Sequence, residues 1–134
     1  MASEGKIVIL VVEDDQQLQG VLEDVLGESG FETAITASGE EAVTLLKGNA
    51  AAYRALVADI GLRGRMTGWE VATRARQIDP DLPVVYLTGS HANEFQDRAV
   101  PYSALLRKPV EPDHLVEAIS QLVTRPDQAS RLDG

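Results

Sequence analysis

Short apolar runs punctuate this sequence at intervals, and that pattern restricts the fold more than any other feature. Ile7–Val12, Ala55–Ala58, Val84–Leu87 and Ala104–Leu106 are continuous and built from Val, Ile, Leu, Ala and one Tyr. Runs this short and this apolar read as strands covered on both faces. A fifth segment, Thr33–Ala37, is more polar and reads as an edge strand.

Helical patterns fill the intervals. Leu18, Val21, Leu22, Val25 and Leu26 recur at three- and four-residue spacing, with Gly27 or Gly30 as the stop. Ser38-Gly39-Glu40-Glu41 and Thr67-Gly68-Trp69-Glu70 both have the spacing of a capping box and predict two further helix starts. The second of these helices runs to about Ile78, before Pro80. Glu111-Pro112 opens the last helix with proline at its first position, and Leu115, Ile119 and Leu122 form its buried stripe. Asn93-Glu94-Phe95-Gln96 can start a fourth helix, but Pro101 follows closely, so a short or irregular helix is expected there.

Strands alternating with helices predict an α/β fold: a single doubly wound five-stranded parallel sheet with helices on both faces. The 134 residues suffice for one core, with no internal repeat and no second domain expected after Val123. The domain is expected over residues 1–124, and a frayed polar tail over 125–134.

Twenty-one acidic residues against twelve basic ones give a net charge of −9. A field of that sign disfavours direct binding to nucleic acid or to anionic membrane. With no cysteine, disulfides, thiolate metal sites and a cysteine nucleophile are excluded. No signal peptide or membrane-spanning run is visible, and a cytoplasmic protein is expected.

Polar groups stand at the carboxyl ends of four expected strands. Glu13, Asp14 and Asp15 follow the first, Asp59 ends the third, Thr88 the fourth and Lys108 the fifth. A parallel sheet carries all of them to one rim, where sites gather in such folds. Two carboxylates ~4 Å apart repel by about 4 kcal/mol at an effective dielectric of ~20. Three of them together call for a cation, and a hard ion such as Mg2+ takes oxygen ligands. Such an ion would also neutralise phosphoryl oxygens, so that a carboxylate could attack phosphorus. Singly, each residue has a plainer reading. The acidic run can cap the first helix, Asp59 can cap its loop, and Thr88 can serve the turn before Gly89. Lys108 closes an apolar strand and needs a partner in any reading. Jointly, at four strand ends in this order, they favour a site.

Over roughly Ile7 to Val123 the chain resembles a response-regulator receiver domain. The stretches that carry the resemblance are Ile9-Leu10-Val11-Val12-Glu13-Asp14-Asp15, Leu56-Val57-Ala58-Asp59-Ile60, Val85-Tyr86-Leu87-Thr88-Gly89 and Arg107-Lys108-Pro109. The resemblance implies a flavodoxin-like sheet of order 2-1-3-4-5. It implies that Asp59 is the phosphoacceptor. Asp14 would bind Mg2+ directly, Glu13 through water, and the Gly61 carbonyl would be a further ligand. Thr88 would hold the phosphoryl group, Lys108 would pair with it or with Asp59, and the Lys108–Pro109 bond would be cis. The phosphoryl group would come from a phosphohistidine on a sensor histidine kinase or a histidine phosphotransfer protein. A downstream protein target would read the result.

Three stretches depart from the family. Leu105 stands where a switch Tyr or Phe is frequent. The loop Gly61–Gly68 is one residue longer than the commonest pattern, with Arg63-Gly64 where Pro is frequent. The segment Ser90–Ser103 is short. Trp69 is expected to anchor its helix on the sheet, and His91 and His114 to lie on the surface. The competing readings are a receiver-like binding module that is never phosphorylated and a small phosphatase with an aspartyl nucleophile. The second lacks the expected pattern after the first strand, where Gln16 and Gln17 follow Asp15. A cofactor-binding flavodoxin-like reading lacks a glycine-rich phosphate loop.

Overall fold

A computed structural model describes residues 6–124. The expected tail, 125–134, lies outside the described residues. The chain runs β1 (Ile7–Val12), α1 (Gln16–Glu28), β2 (Phe31–Thr36), α2 (Gly39–Asn49), β3 (Ala55–Asp59), α3 (Gly68–Ile78), β4 (Val84–Thr88), α4 (Phe95–Arg98), β5 (Ser103–Arg107) and α5 (Pro112–Thr124). The five strands form one parallel sheet in the order β2-β1-β3-β4-β5. The chain order reverses between β1 and β3, and this places a crevice outside their carboxyl ends.

The alternation of side chains along each strand divides the core in two. Leu10, Val12, Leu56, Ala58, Val84 and Tyr86 face α2 and α3, meeting Leu46, Trp69 and Val71. Ile9, Val11, Ala55, Val57, Val85 and Leu87 face α1 and α5, meeting Leu22, Leu26, Leu115 and Ile119. With both faces buried, β1, β3 and β4 have no polar face, which is why they read as unbroken apolar runs. Each fully buried Leu or Ile contributes about 1.5–3 kcal/mol relative to exposure.

The helix starts follow local chemistry. Asp15 caps α1, its side chain accepting from the amides of Gln17 and Leu18. Thr67 and Glu70 form a complete capping box at α3. At α2 the box is partial. Ser38 accepts from the Glu41 amide, but the Glu41 carboxylate takes the Ala37 N–H, one residue upstream of the expected partner. Pro112 is the first residue of α5, as its fixed φ favours.

Two boundaries differ from the reading of the sequence. The edge strand begins at Phe31 rather than Thr33 and ends at Thr36, because its register against β1 pairs Ile7 with Phe31 and Val12 with Thr36. Gly27 lies inside α1, and the chain turns at Gly30, whose φ of +93° favours glycine. The fourth helix is short as expected: a 3-10 turn, Ala92–Glu94, leads into four α-helical residues.

Candidate functional site

The rim outside β1, β3, β4 and β5 gathers the polar residues that end those strands. Glu13 directly follows β1 and is fully buried, its amide donating to the Thr36 carbonyl at 3.0 Å. Asp59 is the last residue of β3 and is buried. Thr88 ends β4, one residue beyond Leu87, the register partner of Asp59. Lys108 follows β5, tied back to β4 by its amide on the Thr88 carbonyl at 2.8 Å. The Lys108–Pro109 bond is cis.

Carboxylate oxygens of Glu13, Asp14 and Asp59 lie within 4.8 Å of one another. The Lys108 ammonium lies 3.2 Å from Asp59 Oδ2 and 3.6 Å from Glu13 Oε1. Backbone amides hold the acids in place. Asp59 Oδ1 accepts from the Gly61 N–H at 3.1 Å, and Glu13 Oε2 from the Asp15 N–H at 2.9 Å. Asp14 Oδ2 accepts from the Arg63 N–H at 2.9 Å. The acidic run after β1 therefore divides its duties. Glu13 and Asp14 point to the rim cluster, while Asp15 caps α1.

The electrostatics leave one clear mark. Burial, followed by the neighbouring Asp59 carboxylate, outweighs the Asp15 N–H and the Lys108 ammonium, raising the Glu13 pKa from 4.5 to about 7. Glu13 Oε1 is buried and accepts no hydrogen bond. An unsatisfied buried oxygen beside two further carboxylates is a donor set suited to a hard cation.

The Thr88 hydroxyl is engaged within its own loop, accepting from the His91 N–H at 2.7 Å and the Ser90 N–H at 3.2 Å. Leu105 is half-buried on β5, beside its register partner Tyr86 on β4. An aromatic residue is present near that place all the same. Tyr86 is fully buried, its ring 4.8 Å from Trp69 and 6.1 Å from Phe95, centroid to centroid. Its hydroxyl accepts from the Val100 N–H at 3.0 Å. Sequence reading missed this aromatic stack, although Trp69, Tyr86 and Phe95 all pack in the same layer of the core. It also missed the role of Arg63. Its side chain is exposed, as a solvated loop predicts, but its backbone N–H fixes Asp14 and its Nε lies 3.7 Å from the same Asp14 Oδ2. His114 is exposed, while His91 is half-buried.

A model of the response regulator receiver domain family matches residues 9–120. The chain is a response regulator receiver domain.

Among solved structures, a response regulator receiver protein from Sinorhizobium medicae is 37% identical and superposes with a TM-score of 0.86, over 91% of this chain and 98% of that one. A putative response regulator from Chloroflexus aurantiacus is 31% identical, with a TM-score of 0.77, over 89% and 98% of the two chains. Response regulator SaeR of Staphylococcus aureus is 27% identical over 119 residues, which is 87% of this chain. The receiver domain spans half the length of that relative. Membership of this family makes the chain a signalling receiver domain, and neither the phosphatase reading nor the unphosphorylated-module reading is favoured. Among the described residues, no helix is long and apolar enough to cross a membrane.

Proposed function

We propose that this receiver domain accepts a phosphoryl group on Asp59 in a Mg2+-dependent reaction. The observation that carries the reading is the meeting of Glu13, Asp14 and Asp59 beside the Lys108 ammonium. Glu13, Asp14, Asp59 and the Gly61 carbonyl would hold the ion. The orphaned Glu13 oxygen and the close carboxylates fit it. When bound, Mg2+ supplies positive charge that offsets the carboxylates and the phosphoryl oxygens.

The donor is the phosphohistidine of a sensor histidine kinase or a histidine phosphotransfer protein. An Asp59 carboxylate oxygen attacks phosphorus. The P–N bond breaks, its electron pair returns to the imidazole, and an acyl phosphate forms. Water later cleaves that acyl phosphate, releasing inorganic phosphate and restoring the carboxylate. Positioning and charge neutralisation carry most of the catalysis in such transfers. Lys108, paired with Asp59 before transfer, then neutralises a phosphoryl oxygen. Thr88 turns its hydroxyl from the Ser90 and His91 amides towards the phosphoryl group. That exchange frees the loop after β4 and biases a two-state equilibrium read by a downstream protein. The setting is cytoplasmic.

Incubation with Mg2+ and acetyl phosphate followed by intact-mass measurement tests the reading. The native chain is expected to gain one phosphoryl group. Asp59→Asn, or omission of Mg2+, is expected to abolish the gain. Equal labelling of native chain and Asp59→Asn contradicts the assignment.

A further inference from the structure

On the α3 side of the rim, two cavities of about 370 and 380 Å3 adjoin. Trp69 and Arg98 line both and join them into one groove. One end lies at Gly61 and His91, the loops that follow Asp59 and Thr88. The other end lies between Arg65 and Arg74. The rim mechanism uses neither arginine.

Three features of the groove point to a ligand. First, Arg65 and Arg74 are exposed, and among the described residues neither is held in an ion pair. The nearby acids are otherwise engaged: Glu70 Oε1 accepts from the Thr67 N–H, and Glu94 pairs with Arg98 at 3.2 Å. Second, the Trp69 indole is buried and its Nε1–H has no acceptor. The ring forms part of the wall that the two cavities share. Third, the Arg98 guanidinium lies 5.9 Å from the Trp69 ring centre, which presents a planar cation along the groove.

We infer that this groove docks an acidic segment of a partner protein, with carboxylates pairing to Arg65 and Arg74 along the wall formed by Trp69. Guanidinium groups suit carboxylates because two N–H donors meet two oxygens at once. The chain's net charge of −9 opposes long polyanions, whose charge lies mostly beyond the groove. A short acidic peptide feels chiefly the local arginines, because charges farther than about 10 Å away are screened at 0.1 M salt. The partner is therefore a protein segment rather than a nucleic acid. The surface lies beside the loops after β3 and β4, but its binding chemistry does not depend on phosphorylation of Asp59.

The test uses the unphosphorylated chain and an eight-residue peptide containing four glutamates, titrated at about 0.1 M salt. Trp69 is the only tryptophan, so its fluorescence and its indole N–H resonance report on the groove directly. A saturable change is expected. Arg65→Glu and Arg74→Glu are each expected to weaken binding at least tenfold, while Lys47→Glu on α2 leaves it unchanged. Both arginines are exposed, and circular dichroism checks that the variants fold. The inference is overturned if no saturable change occurs, if Lys47→Glu weakens binding as much as the arginine variants, or if a duplex oligonucleotide binds more tightly than the peptide. Asp59→Asn is expected to bind the peptide like the native chain. Failure of phosphorylation and failure of docking are therefore read separately.

Discussion

Glu13 is the residue under most strain in the rim cluster. Its pKa, raised from 4.5 to about 7, means that the metal-free fold favours the protonated carboxyl below about pH 7. A raised folded-state value adds stability that is fully present below 4.5 and is lost as pH rises through about 7. Urea midpoints of the metal-free chain are therefore expected to carry a falling contribution across that window, absent from Glu13→Gln. At pH 8 the variant is expected to be more stable than the native chain by roughly 1 kcal/mol, since it removes a charge whose burial, beside Asp59, outweighs its pairing with Lys108 and the Asp15 N–H. A native chain that gains stability over the same window, or a variant no more stable at pH 8, contradicts this. Asp14 is more accessible than Glu13 and Asp59, so its loss costs little stability. Asp14→Ala is expected to weaken Mg2+ binding by roughly tenfold or more, about 1.4 kcal/mol per decade, in a titration calorimeter. Unchanged affinity contradicts its role as a ligand. At this scale the residue types were legible because charged groups ending apolar strands need partners. The amide of Arg63 that holds Asp14 was not, because every residue but proline carries a backbone donor and the sequence does not say where it points.

Among the elements, the start of α3 positions the site most tightly. A Cβ at Gly68 would lie 2.5 Å from the Asp59 carbonyl oxygen and 2.7 Å from the Ile60 Cα, both backbone atoms. Only glycine lets α3 approach the end of β3 this closely. Gly68→Ala is expected to cost about 1–3 kcal/mol by forcing the two apart. It is also expected to lower the phosphorylation rate, because Asp59 would move with the strand. Denaturant unfolding with m held constant, together with the acetyl-phosphate assay, checks both; unchanged stability and rate contradict the close approach. The buried strands and the capped helices were legible from apolar run length and from cap spacing. The boundaries of β2 were less so. Glu32 and Thr33 interrupt the apolar pattern on an edge strand, and only pairing with β1 sets its register. The capping-box spacing at Ser38 was also ambiguous. A glutamate can reach the amide before the cap as easily as the cap itself, as Glu41 does.

The whole molecule turns four separated sequence stretches into one rim. The sheet order and the switch between β1 and β3 accomplish this, and both followed from the alternation of strands and helices together with the family resemblance. The Trp69–Tyr86–Phe95 stack was not legible, since it joins α3, β4 and α4 through a layer that apolar patterning cannot resolve into contacts. The central claim is that the rim takes a phosphoryl group at one carboxylate. Reduction of the phosphorylated chain with borohydride converts an acyl phosphate to an alcohol, turning the modified aspartate into homoserine. Tryptic mapping by tandem mass spectrometry is expected to find homoserine at position 59 and nowhere else. Homoserine at position 14, reduction of Glu13, or no reduced residue at all contradicts the account.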